Sequence, residues 1–172
     1  RTPPAVLANL QLNDLVSEVL TLYGIEEGKS AIAVELGAHL PVIRGDATQL
    51  RQVIHNLLQN AQDAVADVEH PRVVLETRTV EYGDPDAEGK ARVAVRLTVS
   101  DNVPGSYARI LTRAFEPYVT TKAKEAGLGL AMVKKIVDEH GARIDIRNRM
   151  KAGDVIEGAQ ISLLFLQMAD DA

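Results

Sequence analysis

Apolar side chains recur along this chain with two different periods, and the switch between the periods marks out its elements. Leu15, Val16, Val19, Leu20 and Tyr23 follow helical spacing, with Asn13 or Asp14 as the cap and Gly24 as the stop. Ile32, Val34 and Leu36 alternate as in a half-buried strand, and Pro41 marks the turn beyond it. Asp46 and Gln49 have capping-box spacing and open the longest helical stretch. It runs to about Val68 behind a face of Leu50, Val53, Ile54, Leu57, Leu58, Ala61, Val65 and Val68. Val73, Leu75 and Thr77, then Val93, Val95, Leu97 and Val99, alternate on either side of the polar connector Glu81 to Ala91, which predicts a long-looped hairpin. Residues 102–126 hold Pro104, Gly105 and Pro117 without a sustained period. They read as an irregular loop with a helical turn near Ala108 to Ala114, of a length that often serves as a lid over a site. A helix from about Leu128 to His140, closed by Gly141, precedes two strands near Arg143 to Asn148 and Gln160 to Leu166. Residues 1–12 carry Pro3 and Pro4 and no clean period, so they read as a linker into a domain spanning 13–168.

Helices and strands mix without strict β-α-β alternation, which favours an α+β two-layer sandwich over a doubly wound sheet. At 172 residues the chain has room for one domain with a sizeable core. A net charge of −5 argues against a nucleic-acid partner. The absence of cysteine removes disulfides, thiolate metal sites and cysteine nucleophiles together. No apolar run reaches the roughly 18 residues of a membrane span, so direct membrane contact by this segment is not expected. A chain that starts at Arg1 reads as an excised piece of something longer.

Two familiar phosphate motifs fail here. Gly28-Lys29-Ser30 suggests a P-loop, but Gly24 stands one residue too close, a helix rather than a strand precedes it, and Glu26 and Glu27 would repel a polyphosphate. Gly127 and Gly129 lack the third small residue of a dinucleotide fingerprint, since Met132 stands there. The long helix says more. Asn56, Asn60 and Asp63 fall within an arc of about 60° at the border of its apolar face. A carboxamide offers a hard neutral oxygen, and Mg²⁺ takes only one or two protein ligands beside phosphates and water; a solvated helix surface would carry the same residues. Asp101 ends a strand, where a carboxylate either accepts a hydrogen bond from an exocyclic amine such as adenine's or closes an Asx turn. Gly127-Leu128-Gly129-Leu130 opens the next helix, where free N–H groups and the macrodipole favour an anion, or where glycine simply relieves crowding.

Order and spacing join these elements. NLLQNAQDA (Asn56 to Ala64), DNVPG (Asp101 to Gly105), FEPYVTTK (Phe115 to Lys122) and GLGLAMVKKIVDEHG (Gly127 to Gly141) resemble, in sequence, the N, G1, F and G2 boxes of sensor histidine kinases. The likeness covers residues 44–149 and is nearest to the nitrogen-regulation kinases, because Asp63 stands where many others carry a basic residue. It implies the Bergerat ATP-binding fold, a mixed, mostly antiparallel sheet backed by about three helices, with ATP under a long mobile lid. Carried over by position, the resemblance makes Asn60 the Mg²⁺ ligand, with Asn56 and Asp63 on the triphosphate side, and has Asp101 read the adenine amine. Gly105 and the loop to Ala126 would form the lid, Phe115 packing it and Lys122 lying near the phosphates, while Gly127, Leu128, Gly129 and Leu130 supply backbone donors.

The wider superfamily separates by reaction. Gyrase-like and heat-shock ATPases carry a Glu four residues before the metal-binding Asn, as general base for water; here that position is Asn56, an amide without useful basicity. Phosphoryl transfer to an already nucleophilic imidazole needs no such base. The resemblance therefore implies an ATP-dependent protein-histidine kinase. None of His39, His55, His70 and His140 fits the acceptor pattern of a His, an acid and then Pro: His140 reads as a helix-end residue and His55 as a surface or packing one. The acceptor is expected on an upstream dimerisation domain, with a response regulator as the next partner and a homodimeric, inner-membrane-anchored parent whose catalytic domain is cytoplasmic. Two departures stand out. Val103 replaces the first glycine of the G1 box, and Glu125-Ala126 replace a Gly-Thr pair. They leave open an alternative, a degenerate Bergerat-fold interaction module with weak or no ATP binding.

Overall fold

A computed structural model describes residues 4–22, 31–83, 92–104 and 124–169, and for residues 124–129 the helical backbone alone. Among these, the chain order is β1 (Ala8–Leu10), α1 (Leu12–Leu22), β2 (Ile32–Glu35), β3 (Ile43–Gly45), α2 (Ala47–Ala64), β4 (Val73–Tyr82), β5 (Arg92–Asp101), α3 (Lys124–Glu139), β6 (Arg143–Met150) and β7 (Ile156–Phe165). The main sheet has the order β2-β4-β5-β7-β6, with β2 parallel to β4 and every other pair antiparallel. This is the expected mixed, mostly antiparallel sheet, and the expected hairpin is the β4/β5 pair, in register from Val73 opposite Asp101 to Tyr82 opposite Arg92.

Register decides which residues meet the helices. Leu75, Val99 and Ile161 stand side by side across β4, β5 and β7, as do Thr77, Leu97 and Leu163. Side chains alternate across a pleated strand, so these rows share one face, where they are buried. Helix α2 packs on β4 and β5, α3 on α2 and β6, and α1 on α2. Leu50, Ile54, Leu57 and Leu58 of α2 join Val16 and Val19 of α1 and Val133, Ile136 and Val137 of α3 in a single core. Burying each large aliphatic side chain contributes about 2 kcal/mol. The sheet's other face is polar, as suits an antiparallel sheet wetted on one side; there Thr98 and Ser162 pair through their hydroxyls at 3.1 Å. No helix among the described residues is long and apolar enough to cross a membrane.

Several boundaries differ from the sequence reading. Part of the stretch read as linker is built into the fold: β1 pairs with β3, Ala8 opposite Gly45 and Leu10 opposite Ile43. Met168 bridges to Ile43 as well. Strands of three residues are too short to display a period, which is why neither β1 nor β3 was expected. Helix α1 begins at Leu12, one turn of its start closed by the Asp14 N–H on the Gln11 carbonyl at 3.1 Å. Asn13 therefore does not cap it, and its amide is drawn instead to the Gly37 carbonyl (2.9 Å) and the Thr77 hydroxyl (2.7 Å). Helix α2 ends at Ala64, and Val65 and Val68 reach the core from the turn that follows. Helix α3 starts at Lys124 rather than Leu128, because Lys-Glu-Ala are strong helix formers and extend it backward. Gly24, Gly28 to Ser30, most of the β4–β5 connector and the turn expected at 108–114 lie outside the described residues.

Candidate functional site

Helix α2 carries the first set of candidates, and its start is held from three directions. Asp46 has an extended backbone and accepts from the Gln49 N–H at 3.1 Å, so the expected cap is present. Its other oxygen accepts from the Val6 N–H at 2.9 Å. The Val6 hydrogen bond is the largest influence holding the Asp46 carboxyl below its ordinary range; partial burial opposes it, and the Gln49 amide adds to it. The N–H of Asp46 donates to Nε2 of His140 at 3.0 Å. His140 is buried at the end of α3, and its Nδ1 lies 2.8 Å from the Ile136 carbonyl. An acceptor at Nε2 and a donor at Nδ1 define one neutral tautomer. The helix-end residue is thus a bolt between α3 and α2.

Further along α2, Asn56 and Asn60 are half-buried and Asp63 is exposed, which is the border position that the helical wheel predicts. Asp63 accepts from the Gln59 side-chain amide at 3.0 Å. His55 is exposed, in keeping with a surface role.

Asp101 closes β5 and is 4% exposed. Its Oδ1 accepts from the N–H groups of Val103 at 3.0 Å and Ala159 at 3.1 Å. The first of these is an Asx turn, so that reading of Asp101 is realised. Burial raises the Asp101 carboxyl above its ordinary range, while the two amides and the charge of Arg149 pull it back. Val103, the departure from the G1 pattern, sits without strain. Among the described residues the non-glycine with positive φ is His39, and Val103 packs its side chain against the core. Asn102 ties the same corner to the start of β4, accepting from the Arg72 N–H at 2.9 Å and donating to the His70 carbonyl at 2.6 Å.

Gly127, Leu128, Gly129 and Leu130 occupy the fourth to seventh positions of α3 rather than its opening. The amides without intrahelical partners belong to the turn before them. The Leu130 side chain is buried in the core. Gly105, Phe115 and Lys122 lie outside the described residues. The structure therefore brings together the elements that carry the candidates, since α2 packs on both β5 and α3. Arg149, Gly158 and Ala159 around Asp101 were missed by sequence reasoning. Gly158 lies before the strand expected from Gln160, and only the structure, which starts that strand at Ile156, shows it as a glycine inside a strand, a mark of close backbone approach. A cleft of about 480 Å³ lies on the helix-free face, lined by Glu35, Arg72, Val74, Ser100, Asn102, Arg149 and Glu157. It contains none of the expected site residues.

A family described as histidine kinase-, DNA gyrase B- and HSP90-like ATPases matches residues 45–167. The sensory histidine kinase/phosphatase NtrB of Vibrio alginolyticus is 28% identical over 138 residues, covering 80% of this chain and 39% of its own length. The C4-dicarboxylate transport sensor protein DctB of Pseudomonas aeruginosa is 34% identical over 154 residues, covering 86% of this chain and 23% of its own. The chain thus spans well under half of these relatives. Among solved structures, the nucleotide-free catalytic domain of the histidine kinase ThkA superposes with a TM-score of 0.70 at 26% identity, covering 94% of this chain and 96% of that one. With a matched region running from the last residue of β3 past the end of β7, this chain belongs to the histidine kinase-, DNA gyrase B- and HSP90-like ATPase family.

Proposed function

We propose that this chain is the ATP-binding catalytic domain of a two-component sensor histidine kinase, passing the γ-phosphate of ATP to a histidine on a separate dimerisation domain for relay to a response regulator. The observation that carries this reading is Asp101, a buried carboxylate at a strand end with one oxygen held by two backbone amides. Its second oxygen is the acceptor for the adenine amine, a selection against guanine, whose carbonyl would meet it with like charge. Asn60 is the side chain that would hold Mg²⁺, with Asn56 and Asp63 beside the triphosphate. The donor set suits a metal delivered with its nucleotide. Among the described residues no cluster of three acidic or imidazole groups forms a cage, and Mg²⁺ generally keeps phosphate and water ligands. Mg²⁺ when bound supplies charge neutralisation at the phosphates.

Asn56 in place of a general base favours transfer over hydrolysis. The acceptor imidazole nitrogen forms a bond to the γ-phosphorus while the bond to the β–γ bridging oxygen breaks, and ADP leaves with that electron pair. The chain's own residues orient the nucleotide and exclude water. By the resemblance, Gly105 to Ala126 would serve as the lid, with Phe115 to pack it and Lys122 to meet the phosphates; of these, residues 105–123 lie outside the described residues. Gly127 to Leu130 give backbone donors, which requires the first turn of α3 to unwind when ATP arrives. The non-catalytic alternative loses one of its two motives, since Val103 sits in ordinary backbone. The parent is proposed to be a membrane-anchored homodimer with this domain in the cytoplasm.

The test combines the chain with a dimerisation domain from an NtrB-type relative and γ-labelled ATP. Label is expected on the acceptor histidine, and Asn60→Ala should abolish both the labelling and the Mg-ATP rise in melting temperature. ATP binding without label on the acceptor refutes kinase function. Steady phosphate release by the chain alone would mark it as a hydrolase instead.

A further inference from the structure

Arg149 lies on β6, two strands from Asp101, yet its Nη1 donates to the Asp101 main-chain carbonyl at 2.9 Å. The strand between them is β7, and the residue in register with Arg149 there is Gly158. Glycine leaves the crossing open. A Cβ on Gly158 would stand 1.9 Å from the Asp101 carbonyl oxygen and 3.1 Å from Asn102 Cα, a clash with backbone that no rotamer relieves. The next residue, Ala159, donates its N–H to Asp101 Oδ1. Asp101 is therefore gripped at both ends, its carboxylate by two amides and its carbonyl by a cation reaching over a glycine, at the point where the chain leaves the sheet.

We infer that Arg149, working across Gly158, is a positioning residue that aims the Asp101 carboxylate at the purine amine and so sets adenine selectivity. The inference rests on the ATP reading above. Its second effect is electrostatic, because the Arg149 charge opposes the rise in the Asp101 carboxyl that burial causes. Among the described residues, the other charged groups lining the cleft beside Arg149 are Glu157 on β7, whose Oε1 lies 3.6 Å from Arg149 Nη2, Arg72 before β4 and Glu35 on β2. Helix α2 packs on β5; its Asn56 and Asn60 are uncharged, and its Asp63 is bonded to Gln59.

The experiment titrates the chain and its Arg149→Met, Arg149→Lys and Arg149→Gln variants with a non-hydrolysable ATP analogue and with the matching purine riboside triphosphate, which lacks the amine. Arg149→Met should weaken the ATP analogue roughly two- to tenfold, the worth of one ordinary hydrogen bond, and leave the purine analogue unchanged. The pH below which ATP affinity falls away should move up in Arg149→Met and Arg149→Gln and return in Arg149→Lys, which keeps the cation. Melting without nucleotide confirms that each variant folds, and Arg149→Gln carries the same readouts if Arg149→Met does not. Equal losses for both nucleotides, or an unmoved pH profile, would reduce Arg149 to a structural role and overturn the inference. No nucleotide binding by the unsubstituted chain would remove the ATP reading itself.

Discussion

Asp46 and Asp101 are both carboxylates at element ends, and their surroundings push them in opposite directions. Asp46 caps α2 and is held below its ordinary range, so its stabilisation is present above that range and is lost as pH falls through the depressed value. Asp46→Ala should lower stability by about 1 kcal/mol in chemical denaturation near neutral pH, the usual loss for a removed cap. Asp101 has the reverse sign. Its carboxyl is raised, so between the ordinary and the raised value the native state binds more protons than the unfolded chain, and stability declines as pH rises across that window. The proposed nucleotide recognition needs the ionised form, so affinity for an ATP analogue should decline as pH falls through the raised value. Asp101→Asn should flatten the stability trend in denaturation curves taken across the acid range and should remove adenine binding.

Helices α2 and α3 are joined by more than apolar packing. The buried imidazole of His140 accepts the Asp46 N–H, connecting the end of one helix to the start of the other. His140→Phe preserves bulk but leaves that N–H without its acceptor. The expected loss is about 1–3 kcal/mol, read as a drop in melting temperature. At the other end of α3, Gly127 and Gly129 lie inside the helix, where glycine is less favourable than alanine by about 1 kcal/mol. This weakness suits the proposed opening of that turn to present backbone N–H groups to phosphate. Gly129→Ala should accordingly raise the melting temperature of the free chain and weaken ATP-analogue binding, two opposite changes measured by circular dichroism and by titration. A rise in both would mean that the turn does not unwind.

At the scale of the whole molecule, the two-layer arrangement follows from a sheet with one apolar face, and that much was legible in the alternation of Leu75, Leu97, Val99 and their neighbours. The Asp46 cap and the border placement of Asn56 and Asn60 were legible too, because caps and helical faces are local properties of a few consecutive residues. Short β1 and β3 were not, since their pairing depends on a partner rather than on a period. Nor could the sequence settle whether Val103 strains its corner, a question of φ that the Asx turn on Asp101 answers. The sequence by itself determined the longer elements, the core faces and the ordered motifs that mark an ATPase of this family, all written in spacings along one stretch of chain. Tertiary structure alone decided that His140 bolts its helix to the Asp46 N–H 94 residues away, and that Arg149 reaches over a glycine to a carbonyl 48 residues away. The physical reason is that such contacts depend on strand order and on an absent side chain, and neither leaves a period for a reader of the sequence to find.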